Sequence, residues 1–192
     1  MLELNETKRT LRHGWHRIGV KCPESVAEHT AMATQIAFIL ARLENADANR
    51  AVLLALFHDI GEVRSGDDDW VSKIYHDKNS AETKAYMAQI KDLPIAAELE
   101  GIYSELKEQK TKEAIIAKDA DLLELAVQAK VYTDSGYRSA PLFIEGMRDS
   151  LKTESAKKIL AAVTKSHLED WWLAIPEIAA ASEKTFKTKK NQ

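Results

Sequence analysis

The 192-residue chain is 45% hydrophobic with only seven glycines and four prolines, enough for one sizeable core and without an obvious linker. A net charge of −3 supplies no basic excess for a nucleic-acid polymer, although a local basic pocket for one phosphate fits that balance. The single cysteine, Cys22, excludes an intrachain disulfide framework and a cysteine-based zinc site. No apolar run approaches the roughly 20 residues of a membrane span, and Met1–Lys8 carries neither a signal-peptide core nor a lipidation motif, so no membrane partner and a cytoplasmic location are expected.

Helical signals dominate in chain order. Ser25-Val-Ala-Glu28 reads as a capping box that launches a helix to about Leu43. Within it Val26, His29, Ala33, Ile36, Ala37 and Leu40 recur at helical spacing, so His29 lies on the stripe that faces the core. A buried histidine needs a partner. Asn45 or Asp47 starts a second helix that should run to about Ile60 and stop at Gly61, with Leu54 four residues before His58.

The polar, acidic stretch from Glu62 to Trp70 reads as a loop or short frayed turn, and loops beside ligand-type side chains often carry function. Further helices are predicted at about 80–91, at 94–108 with a proline in the first turn, at 112–133 after a Thr111 cap, and at 141–150 and 154–174. The lysine-rich stretch 184–192 should be a solvated tail, leaving one domain over residues 1–183. The expected fold is all-α, a single-domain multi-helix bundle.

Two ligand-type side chains, His58 and Asp59, close the apolar run 51–57. Alone, such a dipeptide is more often a hydrogen-bonded pair at a helix end. With His29 upstream and an acid downstream it becomes a candidate metal site, because imidazole nitrogen and carboxylate oxygen together suit a divalent ion that keeps positions open for hydrolysis. The downstream acid is Asp119 or Asp121. On one helix these point about 200° apart, so both cannot face the same ion, and periodicity scarcely separates them: Asp121 shares a face with Ala114, Ala117, Leu125 and Ala129, Asp119 with Ile115, Ile116 and Leu122. Whichever points inward needs a cation or donors.

These residues resemble the His…His-Asp…Asp signature of the HD-domain metal-dependent phosphohydrolases. The stretches Pro23–His29, Phe57–Val63 with Gly66-Asp67, and Ala117–Glu124, together with Gly14-Trp15, resemble the 5′-deoxynucleotidase branch of that superfamily, over about residues 8–175. The resemblance implies an HD-domain bundle built around a divalent metal site, with His29, His58, Asp59 and Asp121 as its four ligands. It makes Glu62 an acid beside the water at the metal, and Asp67 a residue that places the nucleotide and its attacking water. Trp15 matches a tryptophan near the sugar, where an indole wall would exclude a ribose 2′-hydroxyl; without the family, a partly buried packing aromatic is an equal reading. Some relatives hold the phosphate with an arginine directly before that tryptophan. Here Gly14 stands there, and Arg12, which fits a second family pattern with arginine two residues before Gly-Trp, is the expected phosphate contact, Arg17 being the other nearby guanidinium.

The activity implied is removal of the 5′-phosphate from deoxyribonucleoside monophosphates, with a nucleoside monophosphate as the partner. Manganese or cobalt is the expected metal, with zinc, nickel, iron or magnesium also admissible. The alternatives are an HD-type hydrolase of another phosphorylated nucleotide (a phosphodiester, a triphosphate or an alarmone) and a non-catalytic helical module that keeps its metal for stability. The family also implies a homodimer, for which Trp171-Trp172 or the Tyr132–Tyr137 region would supply apolar surface.

Overall fold

The computed structural model describes residues 1–180, which form helices and connecting turns with no β-strand among them, apart from one isolated bridge between Leu11 and Ser25. The predicted tail at 184–192 lies outside the described residues. A short α1 (Leu2–Asn5) and two 3-10 turns, Glu6–Lys8 and His13–Ile18, lead into α2 (Val26–Leu43) and α3 (Ala48–Leu56). There follow α4 (Glu62–Ser65), α5 (Ser72–Tyr75), α6 (Lys78–Ile90), α7 (Ala96–Glu108), α8 (Lys112–Asp134), α9 (Pro141–Arg148), α10 (Glu154–Val163) and α11 (Asp170–Leu173). Among the described residues no helix is long and apolar enough to cross a membrane.

The capping box forms as expected: Ser25 Oγ accepts from the Glu28 amide at 3.2 Å and the Glu28 carboxylate accepts from the Ser25 amide at 2.7 Å. At the other end of α2, Asn45 takes a left-handed conformation (φ 54°), and the Ala46 amide donates back to the Ala41 carbonyl at 2.9 Å, which is a Schellman closure. Asn45 therefore ends one helix and Asp47 starts the next, its side chain accepting from the Asn49 and Arg50 amides.

The helix expected to reach Ile60 stops at Leu56. A continued helix would pair the Ala55 carbonyl with the Asp59 amide, but that carbonyl instead accepts from His58 Nδ1 at 2.6 Å. His58 and Asp59 thus occupy a turn and not a helix face. Gly61 does not cap α3 either. It starts α4 at an ordinary φ of −63°, and a Cβ there would lie 3.0 Å from the Glu82 carbonyl, so its role is to let this turn press against α6. The helix predicted over 154–174 also divides, because Thr164 and Ser166 hydroxyls take the Ala161 and Ala162 carbonyls and Asp170 caps the His167 amide.

Helices α2, α3 and α8 pack on one another through small buried residues, including Ala33, Ala37 and Ala41 of α2, Ala51 and Ala55 of α3, and Ala117 and Ala120 of α8. Small side chains let the axes approach closely, and Leu40, Leu54, Ile116 and Leu123 fill what remains. That close approach is what carries side chains from three segments to one point.

Candidate active site

His29 sits one turn into α2 with 0% exposure, Asp121 lies mid-way along α8, and the turn after α3 adds His58 and Asp59. His29 Nε2 is 3.2 Å from His58 Nε2 and 3.2 Å from Asp121 Oδ1. Asp59 Oδ2 is 3.0 Å from His58 Nε2 and 3.7 Å from His29 Nε2. Donors each about 2.0–2.1 Å from a common ion stand roughly 3 Å or slightly more apart, so this spacing fits a divalent metal. His29, His58 and Asp121 could hold it, and Asp59 Oδ2 lies within 3.7 Å of both histidine Nε2 atoms.

Without an ion these groups pair with one another. Burial and the Arg12 guanidinium act to lower the His29 pKa, yet hydrogen bonds to Asp121 and Glu124 hold it up at about 10. Burial works against ionised Asp59 and Asp121 as well. Even so, His58 and Arg12 keep Asp59 below the usual carboxylate range, and Lys118 and His29 do the same for Asp121, Lys118 Nζ lying 2.6 Å from its Oδ2.

A second layer surrounds this point. Arg12 Nη1 lies 3.2 Å from Asp59, 3.3 Å from Asp67 and 3.7 Å from Glu62. Burial tends to discharge Arg12, but the charges of Asp67, Asp59 and Glu62 keep it protonated. Gly66, at φ +81°, turns the chain so that Asp67 reaches back to accept from the His13 amide at 2.7 Å. Arg17 is drawn away to Asp69 at 2.7 Å, which leaves Arg12 as the guanidinium in the site.

Glu62 was expected on a loop; it opens the short α4 and is 1% exposed. Its Oε1 accepts from Lys78 Nζ at 2.6 Å, whereas the buried Oε2 has no hydrogen-bond partner among the described residues. Burial, reinforced by Asp59 and Asp67, pushes its pKa well above the ordinary value. A buried oxygen without a partner marks a position for a hydrogen-bonding guest.

The site opens on a cavity of about 890 Å³, lined by Arg12, His58, Asp59, Glu62, Asp67 and Asp121 together with Lys73, Lys78, Lys107 and Lys118. Trp15 lies outside this cavity. Its indole is 1% exposed, donates from Nε1 to Glu24 at 2.9 Å, and packs against Tyr132 and Phe143 with centroids 4.9 and 4.6 Å away. It lines an adjoining cavity of about 310 Å³.

Sequence reasoning missed three residues here. Glu124 sits three residues after Asp121 on the same helix face and accepts from His29 Nδ1 at 2.5 Å, a relation that i, i+3 spacing could have suggested. Lys78 and Lys118 gave no signal beyond the acids they pair with. Asp119 is also buried, but on the opposite side of α8, where it accepts from the Lys152 and Thr153 amides and the Thr153 hydroxyl. Both readings of this acid pair pointed inward, and only Asp121 reaches the histidines.

A family model described as HD domain matches residues 4–163. The chain belongs to the HD domain family. Among its relatives, a protein of Danio rerio named 5′-deoxynucleotidase HDDC2 is 28% identical over 134 residues, 68% of this chain and 66% of that one. A Mus musculus protein of the same name is 30% identical over 134 residues, again 68% of this chain and 67% of that one. The chain spans about two thirds of the length of these curated relatives. A solved structure of a conserved hypothetical protein from Pyrococcus furiosus superposes with a TM-score of 0.73 at 28% identity, covering 86% of this chain and 97% of that one. Within this HD domain Gly14 lies against α9, where a Cβ would meet the Phe143 ring at 3.3 Å.

Proposed function

We propose that this HD domain is a metal-dependent 5′-deoxynucleotidase, converting deoxyribonucleoside 5′-monophosphates and water to deoxynucleosides and phosphate, with His29, His58, Asp59 and Asp121 as metal ligands. The observation that carries the reading is the meeting of two imidazoles and two carboxylates beside Arg12 and a buried glutamate, at the floor of a lysine-walled cavity. The names of the relatives support the choice of leaving group.

A divalent ion at this centre supplies Lewis acidity toward a phosphoryl oxygen and makes water a competent nucleophile near neutral pH. Glu62 takes the proton from the attacking water: burial, Asp59 and Asp67 raise its pKa and make its carboxylate a stronger base than an exposed one, and its Oε2 carries no hydrogen bond, only the ion pair with Arg12 Nη1 at 3.7 Å. The water oxygen bonds to phosphorus in line as the bond to the 5′-oxygen breaks, and the departing oxygen takes a proton from solvent, to which Glu62 returns its own. Asp67, steadied by the His13 amide, orients the nucleotide, and Arg12 exchanges part of its carboxylate contact for the phosphate dianion. Trp15 excludes a ribose 2′-hydroxyl.

The reading extends to manganese or cobalt as the activating ion, to a cytoplasmic protein with one domain over 1–183, and to a homodimer. For the dimer, Trp171 and Trp172 are the better surface, because Trp171 is 71% exposed whereas Tyr132 is committed to Trp15. The deciding experiment measures phosphate release from matched deoxy- and ribonucleoside 5′-monophosphates by chelated protein reloaded with manganese, cobalt, zinc or magnesium. Release from deoxy substrates that is lost in His58→Ala is expected; release that survives His58→Ala, or silence with every metal, overturns the reading.

A further inference from the structure

The two cavities meet along a seam. Arg12, Asp67 and Lys73 line both the 890 Å³ cavity at the candidate metal centre and the 310 Å³ cavity beside it. Arg12 and Asp67 are held by carboxylate and amide partners, whereas Lys73 makes no salt bridge with any described residue. Lys73 is thus the cation at the seam with a free hand for an anion.

The smaller cavity differs in character. Its walls are largely apolar and aromatic: Trp15, Ile18, Trp70, Leu125, Leu142 and Phe143. The rings form one continuous surface, for Trp15 leans on Phe143 at 4.6 Å and Trp70 stacks on Phe143 at 4.5 Å with planes 23° apart. Trp70 remains 47% exposed although it sits on this surface, which leaves ring area for a guest. Its position is fixed from both sides. Asp69 accepts from the Val71 and Ser72 amides and holds Arg17, while the Trp70 ring lies over Gly146 of α9, 3.5 Å from where a Cβ would be.

Resting on the nucleotidase reading, we infer that the smaller cavity is the nucleoside subsite: the base packs against the Trp70–Phe143 pair, and Lys73 contacts the phosphate where the two cavities join. The volume is right for this occupant, since 310 Å³ stands at the small end of the ~300–1,000 Å³ range of ligand pockets and suits a nucleoside rather than a larger group. The ordering along the chain agrees with the chemistry. Trp15 follows Arg12 by three residues and Trp70 follows Asp67 by three, so two of the three polar residues at the seam are succeeded by an aromatic that lines the smaller cavity and not the larger one. A phosphate anchored at the centre would carry its sugar past Trp15 and its base onto the ring surface beyond. Trp70 is then a specificity-determining residue that separates nucleotides from phosphate monoesters without a base.

The test compares wild type, Trp70→Ala and Trp70→Phe, as the full chain loaded with manganese, on dAMP and on 2-deoxyribose 5-phosphate. Stacking of one base on an aromatic side chain corresponds to roughly a tenfold change in affinity or more. KM for dAMP should rise about tenfold in Trp70→Ala with kcat little changed, recover in Trp70→Phe, and stay unchanged for 2-deoxyribose 5-phosphate in every variant. Equal effects on both substrates, or none on dAMP, would overturn the inference while leaving the nucleotidase reading intact. Saturation-transfer NMR with deoxyadenosine supplies a readout independent of turnover. Binding to wild type that weakens in Trp70→Ala is expected, and no binding to wild type would overturn the subsite even where phosphate release succeeds. If wild type releases phosphate from no nucleotide, the nucleotidase reading itself falls.

Discussion

Glu124 Oε2 lies 2.5 Å from His29 Nδ1, on the far side of the imidazole from Nε2, which faces Asp121 Oδ1 at 3.2 Å. Both acids come from α8, one turn apart, so a single helix grips both edges of a ring supplied by α2. Glu124 keeps the proton on Nδ1 and turns Nε2 toward the candidate metal centre. Glu124→Gln preserves an acceptor for that proton but removes its charge, and metal affinity measured by calorimetry should fall by roughly 10–100-fold with the fold retained. Unchanged affinity would mean that α2 packing alone orients the ring.

The same pairing makes metal binding depend on pH. In the metal-free protein His29 holds its proton up to about 10, since Asp121 and Glu124 outweigh burial and Arg12. A metal takes Nε2, so binding must expel a proton, and affinity should climb about tenfold per pH unit across the neutral range. Calorimetry in two buffers of different ionisation enthalpy should find about one proton released per ion; heats that ignore the buffer would mean a neutral His29 in the metal-free state. Stability follows the sign of the shift. The folded pKa lies above the unfolded value of about 6.5, so this contribution to the metal-free protein is complete below that pH and is lost as pH rises toward 10.

Asp119 and Asp121 stand two residues apart and should fail in different ways. Asp119 satisfies two backbone amides and a hydroxyl at the start of α10, and Asp119→Ala takes the charged acceptor from all three part-buried hydrogen bonds. That should cost about 2–4 kcal/mol, or roughly 5–15 °C in Tm for a chain of this size. Asp121→Ala removes a charge from a crowded acidic centre, so the expected loss is of metal binding with Tm in chelator close to wild type. Thermal melts with and without manganese separate the two. Asp119→Ala should still gain Tm on adding metal and Asp121→Ala should not; the reverse pattern would exchange their roles.

Why the ligand acid was only half legible follows from these contacts. Helical periodicity reports that a side chain faces inward, and both acids do, on different sides of a helix that is buried nearly all round; what each one meets depends on α2 for Asp121 and on the 152–153 turn for Asp119. Caps were easier to read. Ser25, Asp47 and Thr111 each accept from the first turn of the helix they precede, because that interaction is local in sequence. The end of α3 was misjudged because it is set by the His58 ring taking the Ala55 carbonyl, a choice apolar patterning does not encode. Glu124 and Lys78 meet their partners 95 and 16 residues away, so only the folded chain reveals them.

Glu62 offers the sharpest test of chemistry as distinct from binding. Its Oε1 is occupied by Lys78 while its buried Oε2 has no hydrogen bond, only the Arg12 ion pair at 3.7 Å, and among the described residues no hydrogen bond or ion pair joins it to His29, His58 or Asp121. Replacing it should therefore spare the metal centre. In Glu62→Gln the side chain keeps its size and can still accept from Lys78, but the amide cannot take a proton from water. kcat for dAMP should drop by roughly 10²–10⁴-fold, the usual worth of a positioned general base, while KM and manganese affinity stay within a few-fold of wild type. A parallel loss of manganese affinity would turn Glu62 into a support for the ion. An unchanged kcat would pass the role of base to Asp67, the other carboxylate that Arg12 holds beside the same cavity.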